Sequence, residues 1–399
     1  MKHWLWPSAA HGAPRRPSSH DQKSALPLQS LFALHGAGRA SWTPRNYAAL
    51  AREGFQRNAV AYRCVRLVAE AAASVEISCS RDVNMREDDP AAQLLRRPHP
   101  HCGYSELMEQ IYGYLQLSGQ AVFQAALVDE IPAALFALRP DRVTPVTRRD
   151  GQILRYEYDA EGLKRSFAHD PVSGKNVIHT ISLFHPTHDL AGFSPLAAAA
   201  NAIDVHNAGG VWTKALLDNS ARPSGALIYK GAGGADHLTD SQFDRLKSEL
   251  EGSHSGPRAA GRPLLLEGGL EWRPMGLTPA DMDFTEARRE AAREIALALG
   301  VPPMLLGIPG DNTYANYREA NQAFWQQTIL PLVRKTAQSL EGWLRPWFGN
   351  DLCLRADFDS VPALSAQREQ LWSRLAGADF LTVDEKRDMA GLPKTGGPS

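Results

Sequence analysis

Three histidines and an aspartate of this chain have the side chains best suited to bind a metal ion. They are His179, His185, His188 and Asp189, and imidazole and carboxylate groups are the usual protein ligands of zinc in hydrolases. His185 and His188 are separated by Pro186 and therefore do not share one face of a helix. A strand end followed by a polar loop explains this pattern better than a metal site does.

A second group of metal-binding side chains lies earlier in the chain. His99, His101 and Cys102 alternate with prolines in the segment RRPHPHCGYS. Proline and glycine at this density are typical of a loop. We therefore interpret this group as loop structure.

Paired carboxylates could hold Mg²⁺ in a nuclease. The pairs here are Asp281 with Asp283 and Asp357 with Asp359, and neither has a third ligand or a catalytic lysine nearby. The first pair suits the positive end of a helix dipole. The chain also contains no Gly-x-x-x-x-Gly-Lys phosphate loop and no Gly-x-Ser-x-Gly elbow. We predict that the protein is not an enzyme and uses no cofactor and no metal.

The composition limits how the protein can meet nucleic acids and membranes. The 399 residues carry a formal net charge of −1, whereas proteins that grip duplex DNA by its phosphates usually show a basic excess. Any contact with DNA is therefore predicted to be weak or transient. The four cysteines form no CxxC pair, which fits a reduced intracellular chain. No apolar run approaches the roughly 18 residues that span a bilayer, so no membrane contact is predicted.

The elements that must position these residues begin with a mixed α+β half. Residues 1–40 lack periodicity and are predicted to be a disordered arm. A helical pattern starts at Asn58, and a second helix is predicted from an N-cap at Ser105 to Gly119. Strands are predicted at 121–128, around Leu135 and Val143, at 153–158 and at 177–180.

Two long helices bracket a compact insert in the second half. The first is predicted from the N-cap Ser194 to about Asn219, with a kink at Gly209 and Gly210. The second is predicted over 279–299. Residues 314–348 are predicted to be helical with a kink at Pro331, and helices near 363–376 and after a capping box of Thr382 and Glu385 end the chain.

The second of the paired helices has a charged face and an apolar face. At 100° per residue the charged rows are Glu286, Glu290 and Glu294 beside Arg289 and Arg293. The opposite side is apolar and interrupted only by Arg288; it comprises Phe284, Ala287, Ala291, Ala292, Ile295, Ala296 and Leu299. Such a helix suits packing side by side in a ring. It equally suits an ordinary surface helix with i,i+3 Glu–Arg pairs.

Several segments, in this order, resemble the portal proteins of tailed bacteriophages, in the branch also found in prophages and gene transfer agents. They are DPAAQLLRRP at 89–98 with 103–117, GFSPL at 192–196, DNSARPSGAL at 218–227, the stretch 263–307 and LTVDEKRDMAGLPKTGG at 381–397. The resemblance implies an α+β portal fold with wing, stem, clip and crown regions that assembles into a ring. The implied regions are a disordered arm at 1–40, the wing at 41–193 with a long kinked helix at 316–349, stem helices at 194–221 and 278–300, the clip at 222–277, a tunnel loop at 301–315 and the crown at 350–399.

The resemblance also implies a function and partners. About twelve copies would form a channel at one capsid vertex, through which double-stranded DNA is packaged and ejected. The major capsid protein, the terminase large subunit and head–tail adaptor or connector proteins would contact the ring. The protein would belong to the virion after assembly in the bacterial host cytoplasm.

Two sets of residues follow from that resemblance. The implied DNA-facing tunnel-loop residues are Val301, Pro302, Pro303, Met304, Leu305, Leu306, Gly307, Ile308 and Asn312. The implied subunit-interface residues of the stem are Glu286, Arg289, Glu290, Arg293 and Glu294. Only Asp311 is charged in GVPPMLLGIPGDNTY, which fits a surface that lets DNA slide.

Two alternatives remain at this stage. One is another head–tail structural protein, although such adaptors are usually much shorter. The other is a metal-dependent hydrolase that uses His179, His185 and His188.

Overall fold

The computed structural model describes residues 41–80, 89–218, 225–229, 239, 241, 244–245, 248, 270–274, 284–308 and 314–390. Five helices or helical turns lie in the first part of this set. They are α1 (Tyr47–Ala49), a π-helical turn (Leu50–Gln56), α2 (Ala59–Ala73), α3 (Pro90–Arg96) and α4 (Tyr104–Ser118). The predictions for residues 1–40, for most of 222–277 and for 391–399 fall outside the described residues.

Side chains and glycines fix the ends of these helices. Asn58 caps α2, because its Oδ1 accepts hydrogen bonds from the amides of Val60 and Ala61. The predicted cap of α4 is wrong by two positions: the N-cap is Gly103, whose backbone is extended and which has no side chain to cap with. Gly119 ends α4 as predicted, at φ 76°.

Within the described residues, antiparallel strands form four small sheets, which confirms the α+β class. In the first sheet, β2 (Gln120–Val128) lies between β3 (Ile131–Leu138) and β7 (Ile178–Ser182). A second sheet joins β4 (Val143–Thr147), β5 (Ile153–Ala160) and β6 (Leu163–Ala168). Strand β1 (Ile77–Ser80) pairs with β10 (Cys353–Ala356), and β8 (Gly225–Tyr229) pairs with β9 (Leu270–Pro274).

The two long helices are present, but the predicted kink lies elsewhere. Ser194 caps a short helix, α5 (Pro195–Ala198), and α6 (Ala200–Asp218) follows after a break at Ala199. Helix α6 runs without interruption through Gly209 and Gly210. The second long helix, α7, is described over Phe284–Ala298.

The remaining helices follow in the last fifth of the chain. Helix α8 (Tyr314–Phe324) passes through a π-helical turn (Trp325–Ile329) into α9 (Leu330–Phe348). The irregular turn ends two residues before Pro331, which lacks the amide that would continue the α-helical ladder. The described part of the chain ends with α10 (Ser365–Ala376) and α11 (Val383–Met389).

One large hydrophobic core joins the helices to the first sheet. Buried side chains from α2, α4, β2, α5, α7 and α9 all belong to it. A smaller cluster of Val122, Leu138, Val143, Tyr156 and Ile178 joins that sheet to the second one. Among the described helices, none has the length and apolar character needed to cross a bilayer.

Candidate functional site: the paired helices and the turn that follows

The start of the first long helix is fixed to α4 by a close backbone contact. Ser194 Oγ accepts from the Ala197 amide and donates to the carbonyl of Gln116, at 3.1 and 2.9 Å. A Cβ added to Gly192 would lie 1.8 Å from the carbonyl oxygen of Gly119. Gly119 and Gly192 must therefore both be glycine, and the entry to α5 is held against the end of α4.

A buried asparagine ties the middle of α6 to the cap of α2. Asn58 is 1% exposed, and its Nδ2 lies 2.9 Å from Asn207 Oδ1 and 3.2 Å from His206 Nδ1. Asn207 in turn donates to the carbonyl of Glu53 at 3.0 Å. Burial lowers the pKa of His206, and the nearby charge of Arg288 lowers it further. The network therefore favours a neutral imidazole at this junction.

The two glycines of α6 provide space for an arginine from α7. A Cβ on Gly209 would lie 2.8 Å from Cγ of Arg288, and one on Gly210 would lie 4.0 Å from its Nη2. The aliphatic part of Arg288 thus packs on the helix surface at Gly209. Its Nε is buried and has no hydrogen-bond partner among the described residues. The glycines are contact points between the paired helices, and the helix continues through them.

The predicted two faces of α7 are largely confirmed. Its apolar side chains that enter the core are Ala291, Ala292, Ile295, Ala296 and Leu299. Ala287 was predicted to join them, but it is exposed. It lies in the first part of the helix, ahead of the residues that reach the core.

The charged rows of α7 pair along their own helix. Arg289 and Arg293 lie 3.5 and 3.8 Å from Glu286, and Arg293 also contacts Glu290. All four side chains are at least one-third exposed, so each pair contributes only about 0.3–0.5 kcal/mol. Glu294 is also exposed. The rows form a continuous charged surface that points away from the protomer core.

A Schellman motif ends α7 and fixes the first residue of the predicted tunnel loop. The amides of Gly300 and Val301 donate to Leu297 and Ala296 at 3.0 and 2.9 Å, and Gly300 has φ 66°. The side chain of Val301 is 2% exposed and belongs to the core. The prediction that Val301 faces DNA is therefore wrong for this residue, because its side chain forms the apolar contact of the helix cap.

The next part of the predicted loop is a structured turn. Residues Pro303–Leu306 form a 3₁₀ helix that ends at Gly307, where φ is 71°. Leu305 and Leu306 are half-buried and pack against the core. Pro302, Pro303, Met304 and Ile308 are partly accessible and Gly307 is exposed, whereas Asn312 lies outside the described residues. Residues 301–308 carry no charge.

The candidate metal ligands do not meet in one place. His179 is half-buried in β7, where it stacks on Trp343 at 5.0 Å and its Nε2 lies 2.8 Å from Ser339 Oγ. His185 and His188 contact each other in the loop after β7. Within the described residues, no three His, Cys, Asp or Glu side chains form a cluster that could hold an ion.

The other candidate ligands have local structural roles. His99 stacks on Phe136 at 4.7 Å, and its carbonyl accepts from the Cys102 amide in the predicted loop. Asp357 Oδ1 accepts from the amide of Asp359 at 2.9 Å. Asp281 and Asp283 lie outside the part that the structure covers.

Sequence reasoning missed the contact between Arg288 and Gly209. The signal was available, since Arg288 is the one charged residue on the apolar side of α7, and Gly209 and Gly210 are adjacent glycines within a helix. Only the packing of the two helices shows that these features belong together. What the arrangement offers is mechanical: a rigid helix pair with a charged outer surface and a neutral turn at one end.

Comparison with known proteins identifies the family. The phage portal protein family model matches residues 59–391. A chain from the neck of a native gene transfer agent (GTA) particle, computed with C12 symmetry, is 47% identical with a TM-score of 0.68, and the match covers 93% of this chain and 100% of that one. A chain from the neck of an empty GTA particle, computed with C6 symmetry, is 48% identical with a TM-score of 0.69, covering 92% and 98%.

A named viral relative agrees with these structures. The portal protein of Enterobacteria phage HK97 is 26% identical over 349 residues, which cover 83% of this chain and 78% of that protein. The helix pair, the sheets around it and the family match over most of the chain lead to one conclusion. This chain belongs to the phage portal protein family.

Proposed function

We propose that copies of this protein close into a ring at one capsid vertex and that double-stranded DNA is packaged and ejected through the ring. The observation that carries this proposal is the 47% identity, over 93% of the chain, to a chain of the GTA neck computed with C12 symmetry. Closed cyclic symmetry joins each copy to the next through two different surfaces. About twelve copies are expected on this basis.

The geometry of the helix pair supports a role in the wall of such a channel. Helices α6 and α7 pack on each other at Gly209, and the buried half of α7 is part of the protomer core. The Glu and Arg rows of α7 are exposed and would face a neighbouring copy. We assign 194–221 and 278–300 to the stem and Glu286, Arg289, Glu290, Arg293 and Glu294 to the subunit interface.

The turn after α7 supports a surface over which DNA slides. Phosphate contacts by Lys and Arg dominate DNA affinity, and residues 301–308 contain neither. We assign the tunnel loop to 301–315, with Val301, Leu305 and Leu306 as its anchor. The DNA-facing part would then comprise the accessible residues Pro302, Pro303, Met304, Gly307 and Ile308, followed by Asn312.

The remaining regions would serve the partners of the ring. We assign the wing to 41–193 with 316–349, the clip to 222–277 and the crown to 350–399. The terminase large subunit would dock at the clip during packaging, and head–tail adaptor or connector proteins would replace it. ATP hydrolysis would belong to that separate motor, and the major capsid protein would surround the ring in the virion.

Electron microscopy of the purified full-length chain tests this function. We expect rings with a central hole, about twelvefold in projection, and a matching mass by light scattering. Particles produced without this chain should contain no genome. A chain that stays monomeric at every concentration, together with particles that fill normally without it, would contradict the proposal.

A further inference from the structure

The guanidinium group of Arg288 has no partner among the described residues of the protomer. Arg288 lies on the otherwise apolar side of α7, its aliphatic part packs on Gly209, and its Nε is buried without a hydrogen bond. The residue as a whole is half-buried. Withdrawing a charge from water without a counter-charge is costly. The position of Arg288 therefore indicates a partner that comes from outside the protomer.

Two titratable groups on the preceding turns of α6 supply no counter-charge to Arg288. Burial lowers the pKa of His206, and the charge of Arg288 lowers it further, which favours a neutral imidazole. The carboxylate of Asp204 is engaged with Thr43, whose amide and hydroxyl donate to it at 2.7 and 2.5 Å. The positive charge of Arg288 is therefore not balanced by either group.

Arg288 lies where the helix pair extends past the hydrophobic core. Among the described residues, those of α6 that belong to the core end at Ile203, and those of α7 begin at Ala291. Gly209 and Gly210 follow on α6, and a Cβ built on Gly210 would lie 4.0 Å from Nη2 of Arg288. Since neither glycine has a side chain, α6 does not cover the end of the guanidinium group at these positions. Another copy of the chain can approach it there.

The other side of α7 carries an excess carboxylate. Its charged rows contain three glutamates and two arginines, and the ion pairs join both arginines to Glu286 and Glu290. Glu294 is exposed and forms no ion pair within the described part of the chain. At 100° per residue, Glu290 and Glu294 lie about 160° and 120° around the helix from Arg288. The excess carboxylate and the unpaired guanidinium group therefore leave α7 on different sides.

We propose that Arg288 receives a carboxylate from the charged rows of the neighbouring copy, with Glu294 as its partner. The two groups lie on different surfaces of one protomer, as a head-to-tail ring requires. Each junction would then join the excess negative charge of one copy to the unpaired positive charge of the next. This inference rests on the ring proposed above, and it names the surface that would receive the charged rows of α7.

Removal of the charge alone tests whether Arg288 serves the assembly. Arg288→Met keeps an unbranched aliphatic side chain on Gly209. We expect the melting temperature of the protomer not to fall and the concentration needed for assembly to rise roughly tenfold, because a charge pair between copies is lost. Arg165→Met, which removes an exposed arginine from β6, is the matched control and should assemble like wild type. A lower melting temperature with unchanged assembly would overturn the inference.

Charge exchange tests the choice of partner. Arg288→Glu and Glu294→Arg should each raise the concentration needed for assembly roughly tenfold or more, because like charges then meet at every junction. The double variant Arg288→Glu/Glu294→Arg restores opposite charges and should assemble near the wild-type concentration. If both single variants assemble poorly and the double variant is no better, Glu294 is not the partner of Arg288.

Cysteine crosslinking tests the same contact by distance. We expect the double variant Gly210→Cys/Glu294→Cys, after oxidation of assembled rings, to give a ladder of covalent oligomers up to the full ring. Each single variant should stay at the wild-type background, because the native cysteines are buried or half-buried. Covalent dimers from Gly210→Cys alone would overturn the head-to-tail pairing.

The outcomes separate this inference from its rival and from the ring itself. Arg288→Met rings that assemble normally but show a smaller salt dependence of DNA binding would assign Arg288 to a DNA phosphate and overturn the inference. Wild-type rings, with no ladder from the cysteine pair and no effect of Arg288→Met on assembly, would overturn it and leave the ring intact. A wild-type chain that forms no rings would overturn both.

Discussion

At the scale of single residues, His179 is a half-buried titratable group whose surroundings favour its neutral form. It stacks on Trp343 and lies beside the hydroxyl of Ser339, between β7 and α9. Burial lowers its pKa from 6.5 to about 4. Between about pH 4 and pH 6.5 the folded protein therefore keeps this imidazole neutral, whereas the same side chain is protonated in the unfolded chain.

This difference predicts a pH dependence of stability. The contribution of neutral His179 to the free energy of unfolding is complete above pH 6.5. It is lost as the pH falls from 6.5 towards 4, because only the unfolded chain takes up the proton in that range. The loss should reach about 3 kcal/mol at roughly 1.4 kcal/mol per pH unit. Urea unfolding of His179→Gln between pH 7.5 and 4.5 should show a flatter profile than wild type.

The loop histidine provides the control for this experiment. His185→Gln changes the same residue type in the segment after β7, so its profile should keep the wild-type slope. Parallel profiles for wild type and His179→Gln would contradict the assigned cause.

At the scale of elements, the contact between α6 and α7 depends on the missing side chain at Gly209. Gly209→Leu should lower the free energy of unfolding by about 1–3 kcal/mol, since the new side chain must displace Arg288. Gly210→Leu is the matched control, because a Cβ at position 210 would lie 4.0 Å from the same arginine, which is an ordinary contact distance. Thermal unfolding of both variants measures the difference. Equal melting temperatures would mean that Gly209 does not set the contact.

The charged rows of α7 should matter more to the assembly than to the protomer. Glu290→Arg or Arg289→Glu removes ion pairs worth about 0.3–0.5 kcal/mol each, so the melting temperature of the protomer should change little. We expect the same reversals to reduce the ring fraction in native mass spectrometry. An unchanged oligomer distribution would place the subunit contact elsewhere.

Local signals allowed the ends of several elements to be predicted. Asn58 and Ser194 cap their helices, and Thr382 and Glu385 form the capping box before α11, because these bonds involve neighbours in the sequence. The β6 strand was missed because most of its residues are exposed, which leaves no apolar alternation to read. The interruption predicted at Gly209 is absent, and the role of that glycine depends on Arg288 of another helix, which local sequence does not show.

At the scale of the whole molecule, the neutral turn after α7 should govern how DNA moves through the ring. Ile308→Lys would place about twelve new positive charges around the channel if the copies form a ring of that size. We expect slower packaging and a steeper salt dependence of DNA binding by the ring. Packaging in vitro with this variant and with the uncharged control Ile308→Gln measures the effect.

The outcome for Ile308 also tests the position of the loop. Normal packaging rates with twelve added lysines would mean that this side chain does not face the DNA. The absence of charge from residues 301–308 is read directly from the sequence. The sequence could not predict that Val301 is buried, because that depends on a helix cap formed with Ala296 and Leu297.

The pairing of β1 with β10 has a consequence for synthesis on the ribosome. Ile77 pairs with Ala356, so most of the chain must be translated before the first strand meets its partner. At about 5–20 residues per second this interval lasts on the order of 15–60 s. Throughout it the backbone edge of β1 is unpaired in the nascent chain and open to wrong partners, which is the condition that favours aggregation. Chains cut short before Cys353 should therefore depend on chaperones to stay in solution.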